Sequence, residues 1–424
     1  MKKLFILILS VICVTLFASG SFVSADSIEK QSIANFGEEY LIKSTESMDN
    51  HKVMMKLLIE EAKSQNSKEK LPNEYSGSFI NEDGNLVISF SSQEASHNFK
   101  LKLDEKIKES KTKDADSTTV SSEIIYMVQD YSYSELDMIS DELSDQYFIL
   151  NIISVGIKQA TNKVEITVYA NTDIEAIIDF LNESIDNFTQ DSIEFIVDLE
   201  VEYTTAYYAY SGGGIYYKLG LFNLFKSYGT VGFNAVDLST GKLGVVTNSH
   251  VAAEGETMYY YNGKAMGQAS KRIFGGEADA AFIPFTNTST VTWLDTYEAI
   301  YDDGDSLTYL STIGVDYYIV EGAPTYKIGY TSDYTSGVVL YTSYSVTVDG
   351  TVYTNVLKYS NQTLPGDSGG PVWISYGTRG ATHILIAINF AAPSDGSYGV
   401  GCRVTSIMAA LNVLPILTTN YYLY

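Results

Sequence analysis

Near its C-terminus the sequence reads Gly366-Asp367-Ser368-Gly369-Gly370-Pro371. A serine that attacks carbonyls must stand on a tight, glycine-flanked turn, with its Oγ presented and neighbouring backbone N–H groups aimed at the developing oxyanion. These residues have that layout. A hydroxyl at neutral pH is a poor nucleophile until a base takes its proton, so Ser368 needs a histidine. Two stand in the same half of the chain, His250 and His383. His250 ends Val246-Thr247-Asn248-Ser249-His250, at the close of an apolar strand and beside a turn, and is the better base. His383 lies between the turn Gly380-Ala381-Thr382 and the run Ile384-Leu385-Ile386, as an edge or surface histidine would. The imidazolium then needs a buried carboxylate to orient it. Asp279 leads the apolar run Ala280-Ala281-Phe282-Ile283, which would draw it inside, whereas Asp302, Asp303 and Asp305 form an acidic loop without apolar flanks. That loop lacks the full twelve-residue calcium pattern and reads as solvated.

The elements that must position these residues are strands. Runs at Thr230 to Val236, Leu243 to Thr247, Ala280 to Pro284, Tyr317 to Val320, Gly337 to Tyr344, Val352 to Tyr359 and Ile384 to Asn389 are separated by Gly, Asp, Asn and Ser turns. They predict an antiparallel barrel or sandwich. One helix is expected at Thr405 to Asn412, capped by Thr405 or Ser406. Residues 26 to about 200 have another texture, rich in Glu, Asp, Lys, Ser and Ile, with a helical pattern from Ile33 to Ala62. Ile152 to Ile157 and Lys163 to Tyr169 read as strands joined by the turn Gln159-Ala160-Thr161-Asn162, and Thr172 to Leu181 as a helix with Thr172 and Glu175 as capping box. Ile193 to Val197 closes a small α+β unit. Its His51 and His97 are expected to be solvated.

Composition excludes several classes. The chain has 27 Lys+Arg against 52 Asp+Glu, of which 10 and 16 lie from Ser211 onward, leaving 17 and 36 before it. The acid is thus concentrated N-terminally, and neither half has the clustered cations that nucleic acid requires. No metal-ligand cluster or phosphate loop appears in the N-terminal half, and no cofactor is expected. Met1-Lys2-Lys3, the apolar run from Leu4 to about Ala18 and Val23-Ser24-Ala25 have the three-part layout of a secretory leader cleaved after Ala25. The apolar run falls short of the ~20 residues a spanning helix needs, so a secreted protein without a stable membrane anchor is expected. Cys13 would leave with the leader, and Cys402, alone in an apolar run, reads as a buried structural thiol.

The Gly366–Pro371 motif, Thr247-x-x-His250 and Asp279-Ala280-Ala281 together resemble the three catalytic motifs of chymotrypsin-fold serine endopeptidases, in that family's order. Gly212-Gly213-Gly214-Ile215-Tyr216, Thr230-Val231-Gly232-Phe233, the stretch from Lys327-Ile328-Gly329 to Thr335-Ser336-Gly337 and Pro365 resemble the bacterial streptogrisin and α-lytic protease group. The similarity covers residues 211 to 424. It implies an all-β catalytic domain, a double six-stranded antiparallel barrel with its site between the barrels, preceded by an α+β pro-domain. It also implies a triad of His250, Asp279 and Ser368, an oxyanion hole from the N–H groups of Gly366 and Ser368, and a buried Asp367 paired with Lys327, Lys358 or Arg403. The pocket would be drawn from Gln362, Thr363, Asn389, Phe390 and Ala391, none of them charged, which points to a neutral apolar or aromatic residue before the scissile bond. The family's half-cystines are missing, and Val251 stands where a Cys commonly follows the histidine.

More weakly, Ile153 to Val168 resembles a segment of that group's pro-regions, which act as folding catalysts and inhibitors until removed. The layout is then leader 1–25, acidic propeptide 26–210 and protease domain 211–424. Partners would be protein or peptide substrates and the chain's own propeptide, with a monomeric enzyme. If the enzyme matures itself, the junction Thr204 to Gly212 suggests cleavage after a tyrosine or alanine. Two other readings use the same residues. One is a catalytically idle binding or adhesion module on this fold. The other is an esterase, which usually carries its serine on a strand-to-helix elbow, and no helix pattern follows Ser368.

Overall fold

The computed structural model describes residues 34–64, 71–111, 121–144, 146–198, 214–219, 225–260, 265–285, 299–302, 307–310, 312–315, 318–376 and 382–416. The expected leader, the junction at 204–212 and the side chains of Asp302, Asp303 and Asp305 lie outside them.

The N-terminal part is α+β. Helix α1 (Glu38–Ser64) starts after Gly37, whose φ of 82° breaks the pattern expected from Ile33. Strands β1 (Tyr75–Ile80) and β2 (Leu86–Phe90) form a hairpin, helix α2 (Gln93–Lys111) crosses over, and β3 (Ile124–Val128) pairs parallel to β2. Parallel pairing needs such a crossover. Helix α3 (Tyr133–Ser144) leads to β4 (Ile152–Lys158) and β5 (Lys163–Tyr169), an antiparallel pair turned at Asn162 with φ of 55°. Helix α4 (Ile174–Ser184) then carries the chain to β6 (Ile193–Asp198), parallel to β5. The cap of α4 is Asp173, whose carboxylate accepts from Ala176 N–H, because the helix starts one residue beyond the expected box; Thr172 instead donates to Asn151 O at 2.9 Å. His51 is buried, not solvated: α1 turns it onto β1, where Nε2 lies 3.1 Å from Ser78 Oγ.

The C-terminal part is all-β apart from one helix. Strands β7 (Gly214–Leu219), β8 (Phe225–Thr230), β9 (Phe233–Asp237), β10 (Leu243–Thr247), β11 (Met258–Tyr260), β12 (Ala265–Gly267), β13 (Lys271–Gly275) and β14 (Ala278–Pro284) form two antiparallel sheets, ordered β12-β11-β7-β8 and β13-β14-β10-β9. Ile215, Met258 and Met266 from the first and Val245, Ala281 and Ile283 from the second share one core. The run expected from Thr230 to Val236 is two strands, because Val231-Gly232 turns between β8 and β9. After short strands β15 (Ala299–Asp302), β16 (Leu307–Leu310) and β17 (Thr312–Val315), the second barrel uses β18 (Pro324–Gly329), β19 (Asp333–Val348), β20 (Thr351–Tyr359), β21 (Pro371–Tyr376), β22 (Thr382–Ala391) and β23 (Gly399–Arg403). They pair in the order β18-β21-β22-β23-β20-β19, and β18 also pairs with β19, closing a ring of six. Tyr318 to Val320 is irregular chain, not the strand expected there; Ile319 and Val320 are apolar because they are buried against the N-terminal part.

Helix α5 (Val404–Leu411) follows β23 directly, so neither Thr405 nor Ser406 caps it; Ser406 Oγ donates to Glu277 instead. β24 (Val413–Pro415) then pairs with β9, fastening the second barrel to the first. The core between them draws on Phe233, Val246 and Phe282 from one side and Tyr353, Ile388 and Phe390 from the other.

The N-terminal part extends the second barrel. β4 pairs antiparallel with β19, with Gly156 opposite Tyr344, so β4, β5 and β6 continue that sheet. A Cβ at Gly156 would lie 2.8 Å from Tyr341 Cδ1 and 2.9 Å from Tyr344 Cδ2. Gly156→Val therefore overpacks this seam and is expected to destabilise the full chain by about 1–3 kcal/mol. Chemical denaturation followed by circular dichroism measures it; unchanged stability contradicts the seam.

Candidate active site

His250 and Asp279 are brought together by β10 and β14, which pair with Thr247 opposite Ala281. Each strand end then delivers its residue to the same edge. His250 Nδ1 is hydrogen-bonded to Asp279 Oδ2, while Asp279 Oδ1 accepts from the N–H groups of Ser249 at 2.7 Å and His250 at 3.2 Å. Asn248 Nδ2 donates to Asp279 O at 2.8 Å, and Arg272 on β13 donates to Ser249 O at 2.9 Å and to its Oγ at 3.1 Å. The aspartate is fully buried, and it fixes both ring and backbone of the histidine. Behind it, Asp279 N–H donates to Cys402 Sγ. Burial, with this carboxylate next to it, holds the Cys402 thiol well above its ordinary pKa, so the thiol is inert.

The Ser368 loop is docked on the first barrel through Thr230. Thr230 N–H donates to Ser368 O at 2.8 Å, Thr230 Oγ1 to Gly366 O at 2.9 Å, and Thr247 Oγ1, three residues before His250, to Thr230 O at 2.8 Å. Gly369 has a φ of 92°, and any side chain there would collide with Thr230 O and Thr247 Oγ1, so the approach requires glycine. Gly369 N–H is spent on Asn389 O and Asp367 N–H on Leu364 O, whereas the N–H groups of Gly366 and Ser368 find no acceptor among the described residues. Thr331 Oγ1 donates to Pro365 O. In a planar trans peptide this aims Gly366 N–H the opposite way. Ser368 is buried, and its Oγ has no hydrogen-bond partner among the described residues, so the bond expected from His250 to Ser368 is not made in this conformation.

Asp367 is buried and its cation is Lys327, at 2.7 Å, with both side chains fully enclosed. Leu364 N–H reaches Asp367 Oδ2 at 2.9 Å, and Thr331 and Ser332 N–H reach Oδ1 at 2.9 and 3.0 Å. Burial alone would raise this carboxyl's pKa, but Lys327 and the backbone donors hold it below the ordinary value. The other two candidate cations are committed elsewhere: Lys358 lies over the rings of Tyr341, Tyr344 and Tyr398, and Arg403 donates to Asn355 O and Thr342 O. His383 pairs with Ser375 Oγ at 2.9 Å, and burial pushes its pKa down to about 4.

The expected pocket residues separate. Gln362 is exposed, the Phe390 ring turns inward against Tyr353 at 4.6 Å, and Ala391 belongs to the same core. Thr363 and Asn389 remain together, Thr363 Oγ1 lying 3.3 Å from Asn389 Oδ1, which also accepts from Tyr359 OH at 2.7 Å. The basis for an apolar or aromatic pocket is thereby lost, since the apolar residues of the set face the core. Thr230, Arg272, Thr331 and Tyr359 were missed from sequence, because each acts through contacts to segments distant in the chain. Among the described residues no group of three or more His, Cys, Asp and Glu could hold a metal ion, and no helix is long and apolar enough to cross a membrane.

Residues 25–135 match the family described as Pro-like N-terminal domain. Among curated proteins none matches the sequence significantly. Similar solved structures include a glutamic acid specific serine protease that uses a histidine triad in substrate binding, at 20% identity, TM-score 0.37, covering 48% of this chain and 98% of that one. Thermobifida fusca Protease A is 16% identical at TM-score 0.37 and Nocardiopsis protease 22% identical at 0.36, each overlap covering 50% of this chain and 100% of theirs. Identity and score are low, so residue roles rest on the geometry above. The chain is thus similar over residues 25–135 to Pro-like N-terminal domains and over about half of its length to bacterial proteases.

Lys327→Met leaves the Asp367 carboxylate buried without a counter-charge. The variant is expected to lose about 3–5 kcal/mol of stability. Urea unfolding at neutral pH reads this, and pairing the change with Asp367→Asn should recover part of the loss.

Proposed function

We propose that the C-terminal part is a serine endopeptidase that cleaves peptide bonds through an acyl-enzyme. Ser368 Oγ attacks the substrate carbonyl carbon while its proton passes to His250; the tetrahedral intermediate collapses, the C–N bond breaks and the imidazolium protonates the leaving amine. Water, deprotonated by His250, then releases the acyl group. Asp279 acts by position, holding the proton on Nδ1 so that Nε2 is the basic nitrogen. The N–H groups of Gly366 and Ser368 receive the oxyanion, a contribution of about 3–4 kcal/mol per donor in known cases.

The observation that carries this reading is the Asp279–His250 clamp, in which one buried carboxylate accepts the ring N–H and two successive backbone N–H groups. A histidine kept only for packing needs no such threefold anchorage. The uncommitted N–H groups of Gly366 and Ser368 support it independently.

The N-terminal part fits a propeptide, residues 26–210, made behind a secretory leader at 1–25 and removed from a secreted, monomeric enzyme. The Pro-like match at 25–135 and the strand that β4 adds to β19 support this. Maturation then cuts between Asp198, the end of β6, and Gly214, the start of β7.

Ser368→Ala should reduce kcat/KM on casein-derived peptides by about 10⁴-fold or more. A fluorophosphonate should label wild type but not this variant. N-terminal sequencing of secreted wild type should begin between residues 199 and 214; a variant that still hydrolyses peptides, or a mature start well before Asp198, refutes the reading.

A further inference from the structure

Asn389 is fully enclosed, one strand residue from the nucleophile loop. Its backbone is stitched to that loop twice, N–H to Gly370 O and C=O from Gly369 N–H, both at 2.8 Å. Its side-chain oxygen accepts from Tyr359 OH at 2.7 Å and from Thr363 Oγ1 at 3.3 Å. The close Tyr359 hydroxyl fixes which end of the amide faces away from it, while the single proton of Thr363 Oγ1 is shared with Asn361 O, also at 3.3 Å. That end, Nδ2, carries two N–H donors and has no acceptor among the described residues.

The place is where three segments converge. Thr363 comes from the stretch before the nucleophile and Asn389 from β22. Gly399 opens β23 so close that any side chain there would strike the Tyr359 ring, Thr363 Oγ1 and Asn389 Oδ1. Thr363 N–H also bonds Gly396 O at 3.1 Å, tying the loop before β23 to the same point. Tyr359, itself without exposure, brings its hydroxyl to the same point from β20. A buried donor left unpaired destabilises the fold, so its retention beside a reactive serine calls for an acceptor that arrives with the substrate.

Resting on the reading of Ser368 as nucleophile, we infer that Asn389 selects substrates whose residue before the scissile bond ends in a carbonyl oxygen, as glutamine and glutamate do. Asn389 Nδ2–H donates to that oxygen, and Tyr359 and Thr363 hold the amide in the donating orientation. No cation stands at this point among the described residues: Lys327 is closed on Asp367, and Lys358 lies over tyrosine rings. A glutamine carbonyl therefore meets a neutral donor there, and a glutamate carboxylate must rely on the same neutral donor without a counter-charge. The tyrosine or alanine expected before the scissile bond from the junction sequence lacks such a side-chain oxygen at the right reach.

The test uses the processed enzyme from the full chain and fluorogenic peptides identical except for Gln, Glu, Met, Leu or Phe before the scissile bond. Methionine matches glutamine in length but lacks the acceptor. Expected is a kcat/KM for Gln or Glu at least about tenfold above Met, Leu and Phe, and whichever of the two leads identifies the natural class. In Asn389→Leu the Gln-to-Met and Glu-to-Met ratios should fall to about one. Tyr359→Phe, which removes one orienting hydroxyl and keeps the ring, should lower the leading ratio by a smaller factor. Equal hydrolysis of the apolar peptides, or a ratio that survives Asn389→Leu, overturns the inference. If Asn389→Leu does not fold, an unchanged ratio in Tyr359→Phe overturns it instead. Labelling of Ser368 with hydrolysis of Met and Phe peptides alone sinks only this inference; no labelling and no hydrolysis of any peptide sinks the endopeptidase reading with it.

Discussion

The buried pair between Lys327 and Asp367 is the constraint on which the candidate site depends. Two opposite charges withdrawn from water are tolerable only with close geometry and satisfied lone pairs. Here the carboxylate accepts from the ammonium and from three backbone N–H groups, of Leu364, Thr331 and Ser332. Those bonds bend residues 364–370 around Asp367. With the aspartate turned inward, the N–H groups on either side of it, of Gly366 and Ser368, are left without an acceptor among the described residues. Lys327 is on β18 and Thr331 and Ser332 are in the turn to β19, so the Ser368 turn is only as well formed as that hairpin.

The same hairpin ties the site to the N-terminal part. β19 takes β4 as a neighbour, and upstream of β18 the buried Glu321 is a meeting point for three segments. Its carboxylate accepts from Lys158 at 2.6 Å and from Gln159 N–H at 3.2 Å, while its backbone O accepts from Ile80 N–H at 2.7 Å. Gln159 in turn receives Ser78 N–H and donates to Thr342 Oγ1. Burial raises the Glu321 carboxyl's pKa, and Lys158 opposes this. Around the joint, Met48, Leu58 and Ile88 of the N-terminal part share one apolar cluster with Ile319, Val320 and Val339 of the barrel. A core held in common means that the barrel strand carrying the Asp367 donors is packed from outside as well as from within. The disulfides missing from the sequence leave this packing and the closed ring of six strands as the visible sources of rigidity.

Much of the strand content was legible because alternating apolar runs bounded by Gly, Asp and Asn have few other solutions. β10, β20 and β22 appear close to where their patterns put them. Errors fell where a residue's environment comes from elsewhere. Ile319 and Val320 are apolar for the sake of a neighbouring unit rather than a sheet, and Phe390 looked like a pocket wall but faces the interior. His51 looked solvated only because the strand that buries it is formed by residues further along the chain.

Sequence alone determined the chemistry on offer: a serine on a glycine turn, a histidine at one strand end, a carboxylate at another, and a break in composition near residue 200. Short-range sterics and hydrophobic periodicity act within a few residues, so these features are written locally. Tertiary structure decided which cation of three closes on Asp367, that Thr230 joins the Ser368 turn to the first barrel, and that Thr363, Tyr359 and Asn389 put their polar ends together. Those choices depend on strand register and barrel closure, which bring together residues dozens to more than a hundred positions apart, and no local pattern encodes a distance of that kind.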